Sequence, residues 1–249
     1  MTLRVGAAMT LRVGAAMTPC VGAAMTLRVG APVAARVLAA ALAAFVLGCG
    51  FDTVRQQTFP AMQEGGGMVV TKVAILPFGT DGDLERLGPE NTTATPEEIT
   101  RIVTRYVSEA LMGRGVAVIP ADDFRAALVS AGIDPALPEN RRPMTNLAAF
   151  EFGANGVLTG VVTRFRDRTG QSLAAANPAS VGFRVELFDA PAARRLWSGT
   201  FEETQQPITE NVFNVSRYPG GGSRWLTGDE LAKWGADEMS KSMPVSGAY

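Results

Sequence analysis

The segment SVGFRVELFD at 180–189 alternates between apolar and polar side chains, and this period of two constrains the fold most. One face of the implied strand carries apolar side chains only: Val181, Phe183, Val185 and Leu187. Arg184 and Glu186 fall on the opposite face. The neighbouring segments GVLTGVVTRFRDR and RRLWSGTFEE have strand composition and short polar links. Three consecutive strands of this kind predict an antiparallel meander with one buried face.

A different pattern precedes the meander. Continuous apolar runs at 73–76 and 116–120 (VAVIP) are typical of strands buried on both faces. Between them, TPEE predicts a helix start, with Thr95 as N-cap, Pro96 at the first helical position and Glu98 as the capping-box acid. A strand–helix–strand order implies parallel pairing.

Further helices are predicted at about 122–131, at 147–152 after a Pro-rich loop, and after a capping box formed by Thr227 and Glu230. The stretch 79–94 is predicted to be a loop. We therefore expect a single α/β domain over 68–249, with a mixed sheet that starts as a parallel β-α-β unit and ends as an antiparallel meander, and with helices packed on it.

The segment 50–67, GFDTVRQQTFPAMQEGGG, is polar and ends in three glycines, which is typical of a tether. Fully extended, it would reach about 60 Å. As a flexible coil, it would span about 25 Å. The sequence thus predicts a tether over 49–67, in front of the folded domain.

The amino terminus contains four copies of an eight-residue unit, which begin at Met1, Met9, Met17 and Met25. This period fits neither solenoid repeats nor a coiled-coil seam. We interpret the copies as a tandem duplication in the coding DNA and take Met25 as the working start. Residues 1–48 then form a signal-peptide region.

Downstream of Met25, Arg28 and Arg36 flank an apolar run at 37–48. The run has the length of a signal-peptide core and is too short for a spanning helix, although a buried core helix is the alternative reading. Its end, VLGC, resembles the lipobox of bacterial lipoproteins. The resemblance implies that Cys49 is lipidated and becomes the first mature residue, anchored through several acyl chains. Gly50 after the cysteine implies the outer membrane, with the domain on the periplasmic side.

The composition excludes several chemistries. The chain has no histidine, so Ser-His-Asp and Cys-His nucleophiles and histidine-based metal sites are excluded. Its only cysteines are Cys20, inside a repeat copy, and Cys49. The net charge of −1 does not indicate nucleic acid as a partner. We predict no cofactor, no metal and no enzymatic activity.

Four strings, VAILPF, GVAVIP, FGANGVLTGVVTRF and VELFDAPAARRLWSGTF, resemble a group of bacterial envelope lipoprotein domains. The group includes the TolB amino-terminal domain, the curli secretion lipoprotein and the lipoprotein activators of penicillin-binding proteins. The later segment RWLTGDELAKWG resembles a family of envelope lipoproteins without an assigned activity. Together with the lipobox, the short tether and the absence of catalytic motifs, this resemblance implies a membrane-anchored, non-enzymatic interaction or assembly module of an envelope complex. Regulation of peptidoglycan synthesis is the alternative function.

Two sets of side chains are candidate interaction residues. Arg164, Arg166 and Arg168 alternate along a predicted strand and would form a stripe for an anionic partner, or merely an exposed, charged face. Trp225 and Trp234 bracket the start of the last helix and could anchor a partner, whereas Trp197 is predicted to lie in the core.

A carboxylate cluster is the candidate for catalysis. Glu202, Glu203 and Glu210 could supply the two acids of a hydrolase. The alternative reading is a solvated strand end followed by a loop. Because spacing along the chain does not fix the distance between carboxylates, we rank the hydrolase below both interaction hypotheses.

Overall fold

The computed structural model describes residues 54–58, 69–172, 174–206, 218–219 and 224–246, all within the unit Asp52–Tyr249. The strands of these residues are β1 (Val54–Thr58), β2 (Lys72–Ile75), β3 (Gly79–Thr80), β4 (Ala117–Ile119), β5 (Gly156–Arg166), β6 (Thr169–Gln171), β7 (Ala174–Asn177), β8 (Ser180–Asp189) and β9 (Arg195–Thr204). The helices are α1 (Gly82–Leu87), α2 (Pro96–Gly113), α3 (Ala121–Ser130), α4 (Arg141–Phe152) and α5 (Gly228–Ser242), with a 3₁₀ turn at Pro138–Asn140 before α4.

The main sheet has the strand order β1-β9-β8-β5-β2-β4, and β3 pairs with the later part of β5. β2 is parallel to both β4 and β5, whereas β5, β8, β9 and β1 pair antiparallel. β6 and β7 form a separate two-stranded hairpin. The predicted single α/β domain with a mixed sheet is confirmed.

One face of the sheet packs against α2 and α5 and holds the larger core. The apolar side of β8, predicted from its alternation, is fully buried there. The predicted capping box of α2 is present: the Thr95 N–H donates to Glu98 Oε2 at 2.8 Å, and the Glu98 N–H donates to Thr95 Oγ1 at 3.3 Å. Tyr106 on α2 donates its hydroxyl to Asp229 on α5 at 2.5 Å. Burial and this hydrogen bond raise the pKa of Tyr106 to about 12.

Among the described helices, α3 and α4 cover the other face, and they do so over the parallel half of the sheet, where α3 packs on β2 and α4 packs on β5. A second core lies here, in which the Phe124 and Phe152 rings meet edge to face with centroids 6.0 Å apart. Because both faces of β2 and the start of β5 are buried, these strands read as continuous apolar runs in the sequence.

The string FGANG joins the two halves of the domain. Gly153 ends α4 in the left-handed conformation, with a φ of 61°. The Asn155 side chain then accepts the backbone N–H groups of Thr71 at 3.1 Å and Lys72 at 2.9 Å. The same side chain donates to the Val69 carbonyl at 3.4 Å. One amide thus fixes the start of β2 beside the start of β5.

The predicted tether is wrong over Val54–Thr58, which forms edge strand β1 and pairs antiparallel with β9. Val54 lies opposite Phe201 and packs against the main core, whereas Arg55 lies opposite Thr200 and is exposed. The strand was missed because a single apolar residue in VRQQT gives almost no alternation.

Three other boundaries differ from prediction. Helix α4 begins at Arg141, not near 147, because Pro143 falls in its first turn, where a missing N–H costs little. The predicted loop at 79–94 contains β3 and α1, and the Asp81 side chain caps α1 by accepting the N–H groups of Asp83 and Leu84. The β6–β7 hairpin replaces a predicted polar link.

The predicted capping box at the start of α5 is confirmed and extended by an arginine. The Thr227 N–H donates to Glu230 Oε2 at 3.0 Å, and the Glu230 N–H donates to Thr227 Oγ1 at 3.1 Å. Arg224 donates to both Glu230 carboxylate oxygens, at 2.8 and 2.7 Å. The Arg224 hydrogen bonds hold the pKa of Glu230 below its usual value.

Glu230→Gln should therefore destabilise the domain in a pH-dependent way. The ionised carboxylate stabilises the folded state above its unfolded pKa, and this contribution is lost as the pH falls through the lower folded pKa. We expect a loss of about 1 kcal/mol at pH 7, since the ion pair is partly exposed. Urea unfolding at pH 7 and pH 4 measures it. Glu238→Gln, at the surface pair with Lys241, is the control and should change little. An equal loss at both pH values would contradict the prediction.

No helix among the described residues is both long enough and apolar enough to cross a bilayer.

Candidate interaction surface

No helix in the described part of the chain covers the second face of the sheet over its antiparallel half. We call this surface the open face and define it by the residues that β1, β5, β8 and β9 place on it: Arg55, Thr159, Val161, Arg164, Arg184, Glu186, Ser198, Thr200 and Glu202. Four of them, Arg55, Arg164, Arg184 and Glu202, are exposed. Helices α3 and α4 stop short of these side chains because they pack on the parallel strands.

Strand register arranges the open face in rows. Val161, Arg184, Thr200 and Arg55 lie side by side on four neighbouring strands. Because adjacent strands are about 4.8 Å apart, Arg184 and Arg55 stand about 10 Å apart at their backbones. Thr200 lies between these two arginines, and its side chain is much shorter than theirs.

The next row contains Gly182 between Arg164 and Glu202. A Cβ at Gly182 would lie 2.7 Å from Thr163 Oγ1 and 3.7 Å from Glu202 Cγ. The glycine therefore leaves the space that the Thr163 and Glu202 side chains occupy. A Cβ at position 182 would force the Thr163 hydroxyl to move, whereas its distance to Glu202 is an ordinary contact.

The open face has more available positive than negative charge. Within the described residues, Arg55, Arg164 and Arg184 form no ion pair. Glu186, in contrast, is paired with Arg195 at 2.5 Å. Three exposed guanidinium groups are thus available for an external partner, and arginine is enriched in protein interfaces.

A groove of about 500 Å³ borders the open face where the sheet meets the segment before α4. Apolar side chains line much of it, including Leu76, Val161 and Phe188. Pro135 and Leu137 belong to the opposite wall, and Leu137 is 44% exposed. The groove therefore combines an apolar lining with access to solvent.

Three arginines predicted as one stripe have different environments. Arg164 lies on the open face and is exposed. Arg166 approaches Glu90 to 3.8 Å and donates from Nε to the Pro178 carbonyl at 3.3 Å. Arg168 lies beyond the end of β5 and donates to the Gly170 carbonyl at 2.7 Å. The prediction that all three share one strand face is wrong for Arg168, because β5 ends at Arg166.

The tryptophans also differ. Trp197 is fully buried, as predicted. Trp234 is only 8% exposed and packs edge to face against Phe201 and Tyr218, with centroids 5.7 and 5.2 Å away. Little of this candidate anchor is therefore accessible to a partner, because α5 turns the side chain toward the sheet. Trp225 is half-buried, and its backbone N–H donates to the Ser172 carbonyl at 2.7 Å.

Of the three glutamates predicted as a cluster, the two that the structure describes, Glu202 and Glu203, do not share a face. Glu202 and Glu203 are consecutive residues of β9, so their side chains point to opposite faces of the sheet. Glu202 is exposed, whereas Glu203 is buried and accepts the Tyr218 hydroxyl at 2.5 Å. Glu210 and Cys49 lie outside the described residues.

Sequence reasoning singled out Arg164 but not the other exposed arginines of the open face. For Arg184, the alternation of apolar and polar residues in β8 indicated a position on the polar side of the strand. Arg55 on the open face and Arg141 in the groove lining gave no signal, because β1 and the first turn of α4 were predicted to be irregular.

No family model matches this chain, and no curated protein matches its sequence. Similar solved structures include a PelC dodecamer from Paraburkholderia phytofirmans, 17% identical over 79% of this chain and 98% of that chain, with a TM-score of 0.44. The LpoB C-terminal domain from Escherichia coli is 17% identical over 58% and 91%, with a TM-score of 0.35. Lipoprotein GNA1162 from Neisseria meningitidis is 19% identical over 54% and 84%, also with a TM-score of 0.35. Likeness at this level does not extend to function.

Proposed function

We propose that this chain is a lipid-anchored envelope protein that binds a partner protein through the open face and has no catalytic role. The observation that carries the proposal is the uncovered half of the sheet, with three exposed arginines that form no ion pair within the described residues. A rigid sheet holds these side chains at fixed spacing, which suits recognition of another folded surface.

The geometry of the carboxylates agrees with a binding role. The pair that suggested a hydrolase is split between the two faces of β9, and Glu203 is engaged by Tyr218. Two carboxylates that flank a glycosidic bond must face the same space, about 5 to 10 Å apart. Glu202 and Glu203 do not meet this requirement.

The anchor part of the proposal is supported by residues 25–49, where a basic segment, an apolar run and VLGC follow one another. Because β1 begins at Val54, the backbone from Cys49 to the sheet can reach at most about 18 Å. A lipid on Cys49 would thus hold the domain next to its membrane. We assign that membrane as the outer one from Gly50.

The short segment between Cys49 and β1 also favours assembly of an envelope complex over regulation of peptidoglycan synthesis. A partner at the membrane surface is within reach of the open face, whereas a partner in the cell wall would call for a longer tether. We therefore place assembly of a membrane-associated envelope complex before regulation of peptidoglycan synthesis.

In-cell photocrosslinking tests the proposed surface. A photoreactive amino acid at position 202, on the open face, should give a discrete adduct with an envelope protein. The same amino acid at position 237, a partly exposed site on α5 across the sheet, is the matched control and should not give it. Arg184→Glu should abolish the adduct from position 202, since it reverses the central charge. An adduct from position 237 alone would refute the open face as the docking surface.

A further inference from the structure

The groove beside the open face has a specific charge pattern. Arg141 and Arg184 both contribute to its lining, and Arg141 lies over the Phe188 ring with its guanidinium carbon 5.0 Å from the centroid. The acid in the lining is Glu186, which Arg195 already neutralises. Cationic groups thus flank an apolar surface, with no competing free acid among the described lining residues.

Helix α4 adds to this positive potential. Its first turn contains Arg141 and no acidic residue, and the Asn140 side chain makes no cap hydrogen bond. The positive end of the helix dipole is therefore not compensated within the first turn, and the nearest acid is Glu139 in the preceding 3₁₀ turn. Met144, one turn later, extends the apolar lining from the same helix.

The shape of the groove selects the kind of partner. At about 500 Å³ it accommodates a few side chains and is bordered by Pro135 and Leu137 on one side. A planar bilayer surface cannot enter such a concavity, whereas an extended polypeptide can. Toward the sheet, the groove continues into the row of Arg184, Thr200 and Arg55. A polypeptide bound in the groove could therefore also contact Arg55.

We propose that an extended acidic segment of the partner protein lies in this groove, with carboxylates on Arg141 and Arg184 and apolar side chains on Leu76, Val161 and Phe188. Charge-assisted bonds from guanidinium to carboxylate would supply orientation, and the apolar lining would supply contact area. The inference rests on the proposed interaction function and names the chemistry of its partner.

Fluorescence anisotropy with the full-length protein in detergent tests this inference. The probe is a labelled eight-residue peptide, Asp-Leu-Glu-Ser repeated once, and its analogue with Asn and Gln in place of the acids is the reference. We expect the acidic peptide to bind at least about tenfold more tightly, and more weakly as salt is added. Arg184→Gln should weaken binding about fivefold, and the double variant with Arg141→Gln should remove most of it.

Arg101→Gln is the matched control, because Arg101 is an exposed arginine of α2 on the opposite side of the sheet, unpaired among the described residues. It should change the affinity less than twofold. Equal binding of the acidic and neutral peptides would overturn the inference, as would an equal loss with Arg101→Gln. Binding of phosphatidylglycerol vesicles that depends on Arg184, without peptide binding, would overturn it in favour of a lipid surface. If the position-202 adduct still forms in any of these cases, the proposed function stands and only the acidic segment is wrong.

Discussion

Phe201→Ala should lower the stability of the domain by about 4 kcal/mol and its melting temperature by about 10 °C. The Phe201 ring is fully buried between the sheet and α5. It packs on Phe183 and Trp234, with centroids 5.2 and 5.7 Å away. A Cβ at Gly235 would come within 2.6 Å of the same ring, so the helix backbone lies directly on it. Truncation would leave a cavity between β9 and α5, next to the rings of Phe183 and Trp234.

Thermal unfolding followed by circular dichroism measures this effect. Phe150→Ala is the control, because Phe150 on α4 is 88% exposed and should contribute less than about 0.5 kcal/mol. Similar losses for the two variants would mean that α5 does not pack on β9 as described.

Cys49→Ala should abolish incorporation of palmitate into the protein. If Cys49 carries the acyl chains, no other residue can replace its sulfur in the thioether that holds them, so the effect should be complete. Metabolic labelling with an alkyne-tagged palmitate, followed by detection of the immunoprecipitated protein, provides the measurement.

The second cysteine of the chain supplies the control for this experiment. Cys20→Ala should leave the label unchanged, because Cys20 lies in a repeat copy upstream of the proposed start at Met25. Label that persists in Cys49→Ala and disappears in Cys20→Ala would contradict the assignment.

Much of the fold could be predicted because its signals are local. The alternation of β8 fixed which of its side chains are buried, and the capping boxes at Thr95 and Thr227 fixed where two helices begin. The continuous apolar run of β2 correctly indicated a strand covered on both faces.

The features that were not predicted, such as strand β1 and the start of α4, depend on contacts between distant segments. β1 is a strand because its backbone pairs with β9 and Val54 packs near Phe201, and neither partner is visible in VRQQT. Its position shortens the segment between Cys49 and the first described strand to residues 50–53. Helix α4 likewise starts early because its apolar face meets α3.

The candidate site was predicted only in part for the same reason. Arg164 and Arg184 were visible as polar positions of strands, but the groove needs Arg141, which α4 brings to the edge of the sheet. The sequence also could not show that Glu203 would be buried while Glu202 stays exposed on the opposite face of β9. Charge clusters in a sequence become sites only when the topology places them in the same space.

Mass spectrometry of the mature amino terminus, from protein extracted from the membrane fraction, tests the central claim most directly. The account predicts that the amino-terminal peptide begins at Cys49 and carries the added mass of a diacylglyceryl group. A peptide from residues 1–48 in the membrane-bound protein, or an unmodified Cys49, would contradict it.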